Sequence, residues 1–420
     1  MSKRLFYKHF SQLFLGGVSA QLVNLFSYPF LTRMYSPSEY GIFTILSTLS
    51  IMFGGISCGT FDYAIQASKS YETNTIYNIA KIFNIVSSFF FLLFALIVGA
   101  IFQKSLYTIL VLSASVYLVG SGNALMYFLL KNEKYNQYSY TVILKVLITV
   151  LSQIAFYFYF KNSFLGLLYG FFLGYVFQIV YLYKLKFKFK RYNRSLKKII
   201  FCYRKYNKFL RINLPSNILN SISINGLNYA LFIVFGAKDA GIYSMANRIV
   251  GLPLALISTS LSQVFFQKAS KAYNETGTFY AQVKYSLAAS SLSLMLVGSA
   301  IFIVEKWCIG YYLGEQWIGS SFVLLLLMPV FFGRFLCSNL TTIPLIIKKP
   351  KFLLIFNVFL ILSTFFPVFS ETYFSLGFLK SIFLVSSLQF LIYFAFLIFL
   401  IVLSKETHNK SLMLIAGGIK

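Results

Sequence analysis

Apolar stretches of bilayer-spanning length recur along the chain at about residues 10–33, 41–65, 79–103, 106–130, 139–160 and 164–183. They resume at about 211–235, 241–266, 283–304, 318–343, 352–369 and 377–403. Each approaches the roughly 20 apolar residues that a helix needs to cross hydrocarbon. The pattern predicts an all-α polytopic membrane protein with about 12 transmembrane helices. Residues 1–183 form an expected N-terminal six-helix bundle, 184–210 a basic connector, 211–403 a C-terminal six-helix bundle and 404–420 a tail. The opening MSKRLFYKHF has the outline of a signal peptide, with Val18-Ser19-Ala20 as a cleavage site. The apolar run continues to Thr32, however, so a retained first helix is expected.

Composition narrows the class. Of 420 residues, 58% are hydrophobic and 11% charged, and the mean hydropathy is +0.74. A soluble domain carries roughly 25% charged residues, so a water-soluble protein is excluded. The charge is lopsided, with 37 Lys and Arg against 10 Asp and Glu. On an apolar chain that surplus fits the positive-inside rule. With alternate intervals assigned to opposite sides, 28 of the basic residues share the side of the termini and 6 lie opposite. Both termini are therefore expected in the cytoplasm. The densest interval, Lys184–Arg211, interleaves Lys and Arg with Phe and Tyr. A nucleic-acid platform uses the same mixture. In this setting the expected partner is anionic membrane lipid, and no nucleic acid.

Reaction chemistry is not evident. Cys58, Cys202, Cys308 and Cys337 are far apart, and His9 and His408 lie outside the apolar stretches, so no metal site or cofactor is implied. No GxxxxGK[ST], HExxH or GxSxG motif is present. A transporter is expected, not an enzyme.

The halves look related. Glu39-Tyr40-Gly41-Ile42-Phe43 opens the second stretch and Asp239-Ala240-Gly241-Ile242-Tyr243 the eighth, offset by 200 residues. Duplication of a six-helix unit explains that match, with the repeats parallel because six is even.

The candidate chemistry lies in ionisable residues within or beside the stretches: Arg33, Asp62, Lys145, Arg248 and Arg334. A charge at the centre of a spanning helix costs at least about 2.5–3.5 kcal/mol, so it has to face a polar cavity or a partner. Four cations cannot all be neutralised by one carboxylate. Arg248 and Arg334 suit a cationic cavity for an anionic substrate, since the guanidinium fork matches phosphate. Asp62 suits pairing with one of the cations. Asn213, Asn217, Asn220 and Asn228 recur along the seventh stretch, and Ser47, Ser50, Gly54 and Ser57 along the second. Such stripes serve either helix–helix packing or a cavity that contacts sugar hydroxyls. Pro29, Pro253, Pro329 and Pro367 fall inside stretches, as static kinks or as hinges.

The segment Phe30–Phe43, FLTRMYSPSEYGIF, resembles the first helical junction of Wzx-type O-unit flippases and related polysaccharide exporters, and Gly241–Arg248, GIYSMANR, resembles the matching segment of their second half. The resemblance implies the multidrug/oligosaccharidyl-lipid/polysaccharide exporter fold, two six-helix bundles around a central cavity. It also implies transfer of an undecaprenyl-diphosphate-linked oligosaccharide across the bacterial inner membrane, for O-antigen, lipopolysaccharide or capsule biosynthesis. Polysaccharide polymerase and chain-length machinery are the partners it suggests. On this reading Arg248, Arg334, Lys145 and Arg33 hold the diphosphate, Asn217, Asn220 and Asn228 contact the sugar, and Asp62 couples transport to an ion. Two alternatives stay open. One is a membrane polysaccharide polymerase or ligase, and the other a cation or drug exporter of the same superfamily.

Overall fold

The computed structural model describes residues 3–69, 71–101, 105–160, 163–185, 196–347, 349 and 351–417. Twelve long helices appear among the described residues: α1 (Lys3–Met34), α2 (Pro37–Ser57), α3 (Thr73–Ile101), α4 (Leu106–Lys131), α5 (Tyr135–Phe160), α6 (Phe164–Lys184), α7 (Leu214–Phe235), α8 (Ala237–Thr276), α9 (Tyr280–Leu313), α10 (Gly319–Ser338), α11 (Lys351–Phe369) and α12 (Phe378–Gly417). Short helices at Phe61–Ala67, Leu196–Lys208, Ile343–Ile346 and Glu371–Phe374 lie between them, and no strand occurs among the described residues. Nine helices there are long and apolar enough to cross a membrane by the strictest measure of length and hydropathy. The chain divides into two compact units, Met1–Ser221 and Ile222–Lys420, and the division falls inside α7.

Several boundaries differ from the sequence pattern: α8 runs to Thr276 and α9 to Leu313, about ten residues past the expected ends, and α10 stops at Ser338, short of residue 343. The second apolar stretch was expected to continue to residue 65, but α2 stops at Ser57. Gly59 and Thr60 both take left-handed backbone, with φ of 59° and 57°. Thr60, a residue that rarely adopts this conformation, is held by a hydrogen bond from its hydroxyl to the Phe209 carbonyl, 2.6 Å away. Asp62 therefore stands on the separate helix Phe61–Ala67, not at the inner end of α2. Helix α12 also continues to Gly417, through most of the expected tail. Ten residues of the basic connector, 186–195, lie outside the described residues, and the rest of it carries the helix Leu196–Lys208.

The duplicated pentapeptides occupy equivalent places. Glu39 is the third residue of α2 and Asp239 the third of α8. In α2 the cap is complete: Ser36 N and Ser36 Oγ each donate to Glu39 Oε2 at 2.8 Å, and Pro37 opens the helix. That reciprocal arrangement satisfies amides that a helix start leaves unpaired. In α8 the cap is Gly236, in left-handed backbone at φ 88°. An acidic residue in the first turn suits the positive end of either helix dipole.

In the first unit α5 and α6 pack along a glycine stripe. Gly166, Gly170 and Gly174 recur every fourth residue, and a Cβ on them would collide with Tyr35, Gln153 and Thr149 respectively. Without those Cβ atoms the helix backbones approach closely, which is how helices associate where lipid removes the hydrophobic drive. Fully buried Tyr35 completes the joint, its hydroxyl donating to the Gln153 carbonyl at 2.8 Å. The serine stripe of α2 is likewise packing. Ser47, Ser50, Gly54 and Ser57 are all buried, and Ser57 Oγ donates to Asn84 Oδ1 of α3 at 2.6 Å. Asn84 Nδ2 then donates to Ser121 Oγ of α4 at 2.8 Å.

One end of this unit is tied together by polar contacts. Glu72, whose carbonyl receives the Ile76 amide at the start of α3, is 1% exposed. Lys205 Nζ donates to its two oxygens at 2.6 and 2.9 Å, and the Tyr206 hydroxyl adds a third bond at 2.8 Å. Burial pulls the Glu72 carboxyl upward, but the Lys205 and Tyr206 hydrogen bonds outweigh it and leave it below the usual carboxylate range. The helix Leu196–Lys208 is fastened here, with Cys202 and Tyr206 buried in the same apolar cluster as Phe61, Ile76 and Leu125.

Replacing Gly170 by Leu should force α5 and α6 apart and cost about 1–3 kcal/mol or more, as overpacking does. A thermal-unfolding midpoint in detergent clearly below the parent's is the expected result; an unchanged midpoint would show that the stripe is not a close-packed joint.

Candidate functional site

Within the second unit, α8 and α10 enclose a cavity of about 350 Å³. Helix α8 contributes Asn247, Arg248, Gly251, Leu254 and Ser258, α10 contributes Phe331, Arg334, Phe335 and Ser338, and α7 adds Ile224. The spacing follows from the helices: Arg334 and Ser338 are one turn apart, and Arg248, Gly251 and Ser258 share a face of α8. Arg334 stands about 22 Å along α10 from its first residue, one turn before the helix ends at Ser338. Its guanidinium is exposed to the cavity and makes no hydrogen bond or ion pair among the described residues. Arg248 is half-buried. No acidic residue is among the described residues that line the cavity, and the two ionised groups there are both cationic.

A polar chain closes one end. Ser258 Oγ contacts Ser338 Oγ and lies 3.4 Å from Asn339 Oδ1, and Asn339 Nδ2 donates to Ser290 Oγ at 2.6 Å. A smaller hollow of about 40 Å³ shares Asn247, Phe331 and Arg334, and adds Tyr243, Gln389 and Tyr393. Arg334 thus serves both spaces. Chemically the site offers two guanidinium groups, an amide and hydroxyls on an apolar wall, donors of the kind that bind an anion bearing hydroxyls.

Of the residues singled out in the sequence, the structure brings Arg248 and Arg334 together. Asn228 is buried, its Oδ1 accepting from Ser244 Oγ of α8 at 2.9 Å, so it joins α7 to α8 and does not line the cavity. Asn217 is half-buried and Asn220 exposed, on the part of α7 that belongs to the first unit. Lys145 lies over the Tyr175 ring, 4.6 Å from its centroid, a cation–π contact inside the first unit. Arg33 is exposed and donates to the Pro29 carbonyl at 2.8 Å. Asp62 is 2% exposed, with Oδ1 lacking a hydrogen-bond partner, and no cation pairs with it among the described residues. The expected Asp62 ion pair is therefore not found among the described residues. Asn247, Ser258 and Ser338 are additions; their helical spacing from Arg248 and Arg334 was the available signal. Cys58, Cys202 and Cys337 are free and buried, and no cluster of metal-ligating side chains occurs among the described residues.

Comparison with known proteins places this architecture. The model of a family described as polysaccharide biosynthesis protein matches residues 30–322. The chain belongs to that family. Among solved structures, an inward-facing multidrug resistance MATE family transporter of the MOP superfamily is similar at 14% identity, covering 93% of this chain and 96% of that one, with a TM-score of 0.71. A MATE protein in complex with MaD3S is similar at 15% identity, covering 96% and 97%, with a TM-score of 0.63. The outward-facing form of the multidrug resistance transporter gives 13% identity, 96% and 96%, and 0.62. At such identities the likeness establishes the fold alone. No curated protein matches the chain in sequence. Family and fold together make this a multi-pass membrane protein of polysaccharide biosynthesis built on a transporter architecture.

Asp62 lies outside the spans, and burial holds its carboxyl at about 7, far above the ordinary 3.8, against the pull of the backbone amides of Asp62 and Tyr63. A raised acid favours the folded state only while protonated, so this stability is lost as pH rises towards 7. Asp62→Asn should accordingly raise the unfolding midpoint more at pH 8 than at pH 5. An equal effect at both would contradict an isolated buried carboxyl.

Proposed function

We propose that the protein is a flippase. It moves a lipid-linked oligosaccharide with a diphosphate head from the cytoplasmic to the outer leaflet by alternating access. The supporting observation is the cavity lined by Arg248 and Arg334, with no acid among its described lining residues, in a chain whose family serves polysaccharide biosynthesis. A diphosphate in low dielectric needs opposite charge and directed donors, and two guanidinium forks supply both. Asn247, Ser258 and Ser338 are the groups beside them suited to sugar hydroxyls. In this reading Lys145, Arg33, Asn217 and Asn220 act elsewhere on the transport route, and Asp62 takes up the coupling ion. The lipid is undecaprenyl diphosphate, the membrane is the bacterial inner membrane, and both termini are cytoplasmic. The product serves O-antigen or capsule assembly, handed on to polymerase and chain-length machinery.

A cation exporter would need acid where this cavity has arginine. Longer chains made in vitro from lipid-linked units would favour a polymerase or ligase instead.

Deleting the protein should strand lipid-linked repeat units on the cytoplasmic leaflet. Arg248→Ala and Arg334→Ala, at normal membrane levels, should each lower outer-leaflet delivery roughly tenfold or more, the scale of a lost charge-assisted bond. Delivery at the parental rate in both variants would overturn the site assignment.

A further inference from the structure

The helix Leu196–Lys208 has two faces of opposite character. Cys202 and Tyr206 are buried, Ile199 and Tyr203 pack on the same cluster, and Lys205 and Tyr206 bind buried Glu72. The other face carries Lys197, Phe201, Arg204 and Lys208 at helical spacing, flanked by Lys198 and Ile200. All six are exposed, Phe201 at 59% and Ile200 at 50%. Glu72 lies on the buried side, so no acidic side chain of this helix offsets that face.

A soluble surface with this charge would have no use for an exposed phenylalanine and isoleucine between its cations. The mixture fits a boundary between hydrocarbon and water, where aromatic and aliphatic groups enter the acyl edge and Lys and Arg meet phosphate. Position agrees. The helix continues through a wide turn at Phe209–Asn213 into α7, and Lys197–Phe235 together contain an apolar window of spanning length. Lys208 is six residues from α7, about 9 Å at helical rise.

We propose that this face is a docking surface for anionic phospholipid headgroups, with Phe201 and Ile200 seated at the acyl boundary. Glu72 acts from behind as a positioning residue. By holding Lys205 and Tyr206 it fixes which way the helix turns, so that the cationic face points away from the protein. The surface is separate from the α8–α10 cavity and does not depend on the substrate assigned to that cavity.

The test uses the full chain in lipid nanodiscs, with Phe201→Trp as reporter and brominated lipids as quencher. Quenching of the added tryptophan is the difference between the variant and the parent chain. It should be several-fold stronger in discs containing a third phosphatidylglycerol than in phosphatidylcholine alone, and 0.5 M salt should weaken it. Neutralising Lys197, Lys198, Arg204 and Lys208 to Gln together should remove that preference, leaving nearly equal quenching in the two kinds of disc. Unfolding midpoints check that these variants remain folded, and the salt arm tests the unaltered charges in any case. Equal quenching in neutral and anionic discs would overturn the proposal. So would protection of the reporter by a short oligonucleotide with no response to phosphatidylglycerol, which would identify a nucleic-acid surface.

Discussion

Hydrocarbon offers a backbone no water, so every N–H and C=O within it has to be paired inside the chain, and every charge there has to face water or an opposite charge. The first demand makes the described residues helical throughout their long elements. The second decides where function can reside. Most Lys and Arg sit between the apolar stretches of the sequence, and the arginines lining the α8–α10 cavity are the exception with chemical consequence. Arg334 is tolerated in the last turns of α10 because it opens onto polar space that it shares with Asn247 and two serines.

The same demand explains how the helices associate. Apolar side chains gain little by leaving lipid for one another, so close approach and hydrogen bonding supply the adhesion. The α5–α6 joint uses absent side chains at Gly166, Gly170 and Gly174. The α2–α3–α4 joint uses Ser57, Asn84 and Ser121 in a linked set of hydrogen bonds. Polar residues in these helices are therefore structural unless a cavity adjoins them, and Asn228 shows how misleading a polar stripe can be.

Helix number and most helix limits were legible in the sequence, because runs of about 20 apolar residues have one stable form in a bilayer. The 39/239 repeat was legible too, as matching helix starts. The break after Ser57 was not, since it depends on Thr60 reaching the Phe209 carbonyl across 149 residues of sequence. Arg248 and Arg334 were legible as costly charges in apolar surroundings, and the structure adds that they share one cavity. Asn228 carried the same polar signal as a cavity residue, yet its side chain is spent on Ser244. Glu72 gave no signal, because a carboxylate in a short interval looks like any solvated charge until Lys205 and Tyr206 close over it.

The central claim is that the α8–α10 cavity selects a ligand by its negative charge. Native mass spectrometry of the purified protein, mixed with equal amounts of a polyprenyl-diphosphate saccharide and the same saccharide on an uncharged polyprenyl ether, tests it most directly. The wild-type chain should retain the diphosphate form in large excess, and the doubly substituted Arg248→Ala, Arg334→Ala chain should retain the two alike. Equal retention by the wild-type chain, or an undiminished diphosphate preference in the double variant, would contradict it.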